Sequence, residues 1–492
     1  MTLRGLMSRA RLSLSIGLIA VATLVQLAAL PLPGSSDMRI FRIWTYGAAT
    51  AGPTQVYGTG GSLPTWRQLT QDRIWPAEEG DSSRRRWLTF DGDVARVDYP
   101  PVALYALALV GWLYRAVFPT FPAGIALTIA IKLLAVLAGV GLTVLIMSAV
   151  TTIEGRDAGR WAGFAFWTNP AVILHGAVLG YLDAVSALPA VAALIAASRQ
   201  RASTAGALLA ISCLIKPQGL LVLPALAVAL SPRQPGGWRA SGLATLAGAI
   251  TVSVCLVPIA AAGAFGNMCT ALAHLLTDGQ LAGNALNAWW LVTFVGQTAR
   301  DLAQGTLATA LAHPVESVSI PDFFARAGVD ASVGMFAALG LGAWTAVVAV
   351  VAWATWQARD AADLPRLSAL AAFTVHAYSV LALQVHENHL FLALPLLAIV
   401  AATEPQYRTL FLAVTGIAAL NLNLLYGFGE GVGYAIPRTL TGIDPTVIVA
   451  ALNCAALAWH AAIFRRLAGQ EAGSAFFRRG RRAAGRAAPA DA

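Results

Sequence analysis

Apolar stretches recur along this chain at close to the length that crosses a lipid bilayer, and that recurrence limits the fold more than any single motif. Leu12 to Pro33, Pro122 to Val150, Ala205 to Leu230, and the pair Leu367 to Val385 and Leu390 to Ala402 are such runs. A helix needs roughly 20 apolar residues to span hydrocarbon, and in lipid every backbone polar group must be bonded within its own segment. Over 492 residues, 57% hydrophobic and 12% charged, the expected fold class is all-α. It is a polytopic transmembrane helix bundle of about 11–13 spans, with a long first extracytoplasmic loop carrying interfacial helices.

The N-terminus has a basic start, Arg4, Arg9 and Arg11, but the run from Leu12 to Pro33 is long for a signal peptide and no small-residue cleavage site follows. It reads as a retained first span. The net charge of +9 comes from arginines clustered in loops and in the tail Arg465 to Arg486, the pattern of cytoplasmic flanks. Nucleic acid is therefore not an expected partner. Cys213, Cys255, Cys269 and Cys454 are scattered and lie mostly in apolar runs, which argues against a disulfide framework or a metal site.

The positive-inside pattern places the N-terminus, Arg199 to Arg201, Arg233 to Arg239, Arg359 to Arg366, Arg408 and the tail in the cytoplasm. Outside then lie a first loop over 34–98, a second large loop over 264–331, and the turns at Gly180 to Asp183, Lys216 to Gln218, His386 to His389 and Gly427 to Pro445. Residues 1–464 read as one transmembrane domain, and 465–492 as a basic cytoplasmic tail expected to lack fixed structure. One stretch breaks the alternation: Pro100 to Val150 offers two spans where an odd number of crossings is needed. A shallow re-entrant element over Pro100 to Phe118, an unusual fold of Pro122 to Val150, or a change of side for the loop Thr151 to Arg160 would each restore it. Asp37 to Trp44 mixes apolar, aromatic and basic residues as an interfacial helix does. Trp289, Trp290, Leu291, Val292 and Phe294 form a segment too short to cross and aromatic enough to anchor at the surface.

The polar clusters all fall on the outer side. His386, Glu387, Asn388 and His389 sit between two oily runs, and ionisable groups at such depth are costly enough to mark a site. Asp37 follows the first span, where it either caps the next helix or takes a proton from an acceptor hydroxyl. Asp98-Tyr99-Pro100-Pro101 fixes a helix start and so aims Asp98 and Tyr99. Lys216-Pro217-Gln218 interrupts an apolar run; its lysine either snorkels to the interface or meets an anion such as a lipid-linked phosphate. Lys132, the other of the two lysines, is a weaker candidate of that kind. His386 and His389 are three apart, unlike the four-residue spacing that puts two zinc ligands on one helix face. Asp91-Gly92-Asp93 could be a metal and nucleotide-sugar motif, but an acidic turn is the commoner meaning. His175, His376 and His460 read as packing residues, and His274 and His313 have no evident partners.

Taken in order, Asp37, Asp98-Tyr99-Pro100-Pro101, Asn169-Pro170, Gly180-Tyr181-Leu182-Asp183, Lys216-Pro217-Gln218, Asn284 to Asn287 with Trp289-Trp290, and Val385 to His389 resemble the integral-membrane glycosyltransferases of the C superfamily. The likeness is to enzymes using dolichyl-phosphate-glucose or bacterial polyprenyl-phosphate-mannose. It implies Asp37 as general base without a metal or other cofactor, and Asp98, Tyr99, Asp183, Lys216, Gln218, Asn287, Trp290, His386, Glu387 and His389 around the donor. It also implies a polyprenyl-phosphate sugar donor, membrane lipid, and a glycan, lipid or protein acceptor as partners. The chain has Ser35-Ser36-Asp37 where many such enzymes have paired acids, and Asn388 where the eukaryotic glucosyltransferases usually have lysine. The expected activity is transfer of a hexose, mannose or glucose, or else a pentose, at the outer face of a bacterial plasma membrane. The alternative is a transporter or flippase for a lipid-linked or anionic solute.

Overall fold

The computed structural model describes residues 17–57, 88–95, 97–231, 233, 236–275, 279–303, 305–326, 333–434, 436–438 and 442–469. The N-terminal arginines, most of the middle of the first outer loop and the tail beyond Gly469 lie outside the described residues, as does the side chain of His274. Helices dominate, as expected. In chain order they are α1 (Gly17–Ala29), α2 (Ser36–Ala51), α3 (Pro101–Val117), α4 (Ile125–Glu154), α5 (Arg156–Trp167), α6 (Asp183–Ser198), α7 (Ala202–Ile215) and α8 (Leu223–Ala229). Then come α9 (Gly237–Ala261), α10 (Ala288–Leu302), α11 (Val333–Gln357), α12 (Leu364–Leu381), α13 (Ala393–Thr403), α14 (Tyr407–Tyr426) and α15 (Pro445–Ala468). Among the described residues, five helices are long and apolar enough to cross a membrane by length and composition. The shorter apolar helices complete a multi-pass bundle.

Sequence signals account for the helix starts. Asn169, Asn287, Asp363 and Asp444 each accept a backbone N–H from the first turn that follows, satisfying donors that a helix start leaves open. Pro101, Pro365 and Pro445 stand where a missing N–H costs nothing. The core runs through α4 to α8 and α12 to α15, and α12 and α13 are buried almost all round. By contrast α9 turns Leu246, Ile250, Val254 and Val257 outward, as a lipid-facing helix does.

The crossing problem between Pro100 and Val150 is resolved by α3, which does not traverse the bundle. Its start abuts α2 through Tyr99, whose ring lies against Phe41 and Trp44; its end returns to α2 through Tyr114, Phe121 and Tyr46. Gly111 makes this contact possible, since a Cβ there would lie 2.5 Å from Ala49 Cβ and 2.8 Å from Thr45 O. The outward side of α3 shows Leu109, Trp112, Leu113 and Val117, an apolar face for the membrane interface. With α3 set aside, α1, α4, α5 with its extension to Val178, α6 to α9 and α11 to α15 alternate direction. Asp183, Lys216 and Glu387 then fall at one end, and Arg199, Arg201, Arg239, Arg366 and Arg408 at the other.

A small hairpin, β1 (Leu88–Phe90) with β2 (Asp93–Ala95), packs on α2. Asp91 and Gly92 form its two-residue turn, both at positive φ (54° and 82°), as a hairpin twist requires. The acidic triplet is thus a turn, with Asp93 3.8 Å from Arg39.

Candidate functional site

Three carboxylates and a lysine from four distant segments meet at one end of the bundle. Asp183 opens α6, and its Oδ1 accepts from Lys216 Nζ at 2.6 Å; Lys216 is the last residue before the Pro217 break that ends α7. Proline cannot continue the ladder, so the lysine is delivered at a fixed helix end instead of along a helix flank. Both are buried, and the start of α6 favours a carboxylate electrostatically. The other oxygen, Oδ2, lies 3.4 Å from His175 Nε2. Tyr99 closes this side, with the Lys216 ammonium 5.8 Å from its ring centre.

Glu387 begins the 3₁₀ turn Glu387–Leu392, and its Oε1 accepts from the Tyr181 hydroxyl at 2.6 Å. On the far side of the same turn, His389 Nε2 lies 2.8 Å from Gln218 Nε2, so the amide donates and the imidazole accepts. The second large loop docks here: Gly283 donates its N–H to Val385 O at 2.9 Å and lies on the His386 ring, where a Cβ would be 2.9 Å from ring atoms. Asn284, at φ 62°, donates to the Tyr426 hydroxyl at 2.9 Å.

Asp37 is the second residue of α2, and Ser35, not Asp37, is the capping position; the capping reading of this aspartate is therefore set aside. Its carboxyl is raised from 3.8 to about 6, first by burial and then by the negative charge of Glu387. Lys216 and His386 pull it down, while Asp183 adds a smaller rise. Ser35 bonds Leu179 O, four residues before Asp183, and Phe41 and Trp44 lie against Tyr99, so the start of α2 that bears Asp37 stands beside the same cluster. A carboxylate that binds its proton near neutrality is suited to general base work.

Several buried polar atoms around the cluster have no hydrogen-bond partner among the described residues: Glu387 Oε2, Asn388 Oδ1 and Gln218 Oε1. Buried polar atoms are rarely left so, and here they converge where a polar ligand would satisfy them. All are acceptors, which matches a ligand rich in hydroxyl donors. No group of three or more His, Cys, Asp or Glu among the described residues could hold a metal ion.

The structure does not gather every expected residue. Asp98 stands near both Tyr57 and Tyr99, the ring that closes the lysine side of the cluster, and the Tyr57 hydroxyl donates to Tyr99 O at 2.6 Å, whereas Asn287 and Trp290 are engaged elsewhere. Asn287 is fully buried as the cap of α10, its amide donating to Ser379 O at 3.2 Å. Trp290 donates its indole N–H to Thr446 Oγ1 at 2.9 Å. Both are bound up in fastening the second loop to the bundle. Lys132 contacts backbone carbonyls, not the cluster. Conversely, His175, whose place in an apolar run suggests packing, faces Asp183 and lies tilted against Phe391 with ring centres 4.3 Å apart. Its segment, Leu174–Val178, is a π-helical turn, a feature that collects at functional sites. His376 and His460 do pack in the core, 3.2 Å apart, and His313 pairs with Asp301 at 2.7 Å.

Among solved structures the chain is similar to the Archaeoglobus fulgidus oligosaccharyltransferase tethered to an acceptor peptide containing the NVT sequon. Identity is 11% and the TM-score 0.39. The alignment covers 92% of this chain and 55% of that one, so this chain spans little more than half its length. No protein-family model matches the chain, and no curated protein matches it.

Proposed function

We propose that this protein is a membrane glycosyltransferase of the C-superfamily type. It moves a hexose from a polyprenyl-phosphate donor to an acceptor on the extracytoplasmic side, with Asp37 as general base. The observation that carries this is the convergence of Asp37, Asp183, Lys216 and Glu387 at one bundle end, with unpartnered acceptors around them. Arginines mass at the other end, which supports an outward-facing site by the positive-inside pattern.

In this reading the acceptor hydroxyl oxygen bonds to the anomeric carbon as the bond from that carbon to the phosphate oxygen breaks. The bonding pair leaves on the phosphate and the hydroxyl proton passes to Asp37. Lys216 offsets the charge that develops on the leaving phosphate, a role in which a fixed cation acts most strongly when water is excluded. Asp183 holds the lysine in place before the donor arrives. The orphaned acceptors on Glu387, Asn388 and Gln218 receive sugar hydroxyls. No step calls for a metal or other cofactor.

The test is transfer of radiolabelled sugar in membranes supplied with polyprenyl-phosphate-mannose or polyprenyl-phosphate-glucose. Asp37→Asn is expected to lower transfer by roughly 10²–10⁴-fold, the usual worth of a general base. Unchanged transfer would remove Asp37 from the role. Absence of transfer from every lipid donor would point instead to a transporter.

A further inference from the structure

We propose that Lys132 is a positioning residue for this reaction: its ammonium ties the chain leading to Asp37 to the chain leading to Asp183 and Tyr181, and so sets the base against the rest of the site. The inference rests on the glycosyltransferase reading. Lys132 is fully buried about two turns into α4. Its Nζ donates to Leu32 O at 2.7 Å and to Val178 O at 2.6 Å.

Val178 is the last residue of the π-helical turn, where carbonyls stand unpaired and carry partial negative charge, and Leu32 lies in the bend three residues beyond the close of α1. An ammonium between these two carbonyls is held without a carboxylate. The same ammonium therefore gathers two segments whose carbonyls would otherwise stand unsatisfied. Leu32 is five residues before Asp37, and Val178 is five before Asp183 and three before Tyr181, the Glu387 partner.

The crossing between these segments is tight around the lysine. Ser35 donates its N–H to Leu179 O at 3.0 Å and its hydroxyl to the same oxygen at 3.3 Å. Gly34 and Gly180 cross at φ 89° and 81°; a Cβ on Gly180 would lie 2.1 Å from Met38 Cε and 3.2 Å from Lys132 Cγ. The lysine stem thus fills the space under the crossing while its head bonds both strands. Loss of the head leaves two buried carbonyls without a donor, and the crossing is free to shift by fractions of an ångström.

The experiment uses the purified full chain with lipid-linked donor, comparing wild type, Lys132→Met, Lys132→Arg, Asp37→Asn and the Asp37→Asn/Lys132→Met double variant. Lys132→Met is expected to cut kcat on the order of tenfold to a hundredfold, the effect of misplacing a reacting group. Donor KM is expected to stay within about twofold. On the Asp37→Asn background it is expected to cost little more, because the base it positions is already gone. Fully additive losses, or a raised donor KM with kcat intact, would overturn the proposal; the second result would make Lys132 a donor contact. A loss of Tm with normal kcat would reduce it to a fold-stabilising residue and equally overturn it. If the Met variant does not fold, Lys132→Arg is read by the same cycle and must couple to Asp37 while sparing donor KM. Full activity in Asp37→Asn alone would instead strike the underlying functional reading.

Discussion

Asp37 illustrates how much burial changes a single side chain. Its carboxyl is lifted to about 6 by desolvation and by Glu387, and a base must be deprotonated to act. The rate is therefore expected to be full above that value and to fall about tenfold per pH unit below it. A kcat/KM profile of the wild type should show an acid limb near 6, whereas a limb near 4 would mean a solvated carboxyl elsewhere. Glu387→Gln removes a raising influence, so its residual activity should show the limb displaced toward acid. Lys216→Met removes a lowering one and should displace the limb toward alkaline pH. At this scale Asp37, Lys216 and Glu387 were legible in sequence because a charge beside an oily run has few places to go. His175 was not, since nothing in Leu174 to Val178 announces a π-helical turn. Asn287 and Trp290 show the reverse: a polar or aromatic residue in a loop can serve as a fastener as well as a ligand contact, and the sequence does not reveal their partners Ser379 and Thr446.

Among elements, the pair α2 and α3 decides where Asp37, the proposed base, stands. Asp37 is carried by α2, and α2 is held by the Gly111 contact with Thr45 and Ala49. Gly111→Val is expected to destabilise the protein by about 1–3 kcal/mol through overpacking. It should also reduce transfer, because the helix that bears the base must move; a thermal melt and the transfer assay check the two effects. Gly206 plays the like part for α7, which leads into Lys216: a Cβ there would lie 1.9 Å from Ala244 O on α9. Unchanged melting in Gly111→Val and in Gly206→Val would show that neither contact is tight. The start of α3 at Pro101 and the amphipathic character of α2 were readable from residue order. That α3 lies along α2 instead of crossing was not, because a 17-residue apolar helix satisfies hydropathy equally well in either orientation. Only the ring contacts of Tyr99 and Phe121 to the same helix settle it.

For the whole molecule, the helical, multi-pass architecture follows directly from the recurring apolar runs, since lipid leaves the backbone little alternative. The gathering of distant segments into one site was less accessible, because it depends on crossing parity and on which helices neighbour one another. The bundle answers both: with α3 removed from the count, the ends of α1, α6 and α7 that lie on one side and the Glu387 turn come together. The most direct measurement of this account is an experimental structure in lipid nanodiscs with a non-hydrolysable polyprenyl-phosphonate sugar bound. The account predicts the phosphonate within hydrogen-bonding reach of Lys216 and the sugar between Asp37 and Glu387. A ligand seated at the arginine-rich opposite end, or one leaving Asp37 beyond the reach of the sugar, would contradict it.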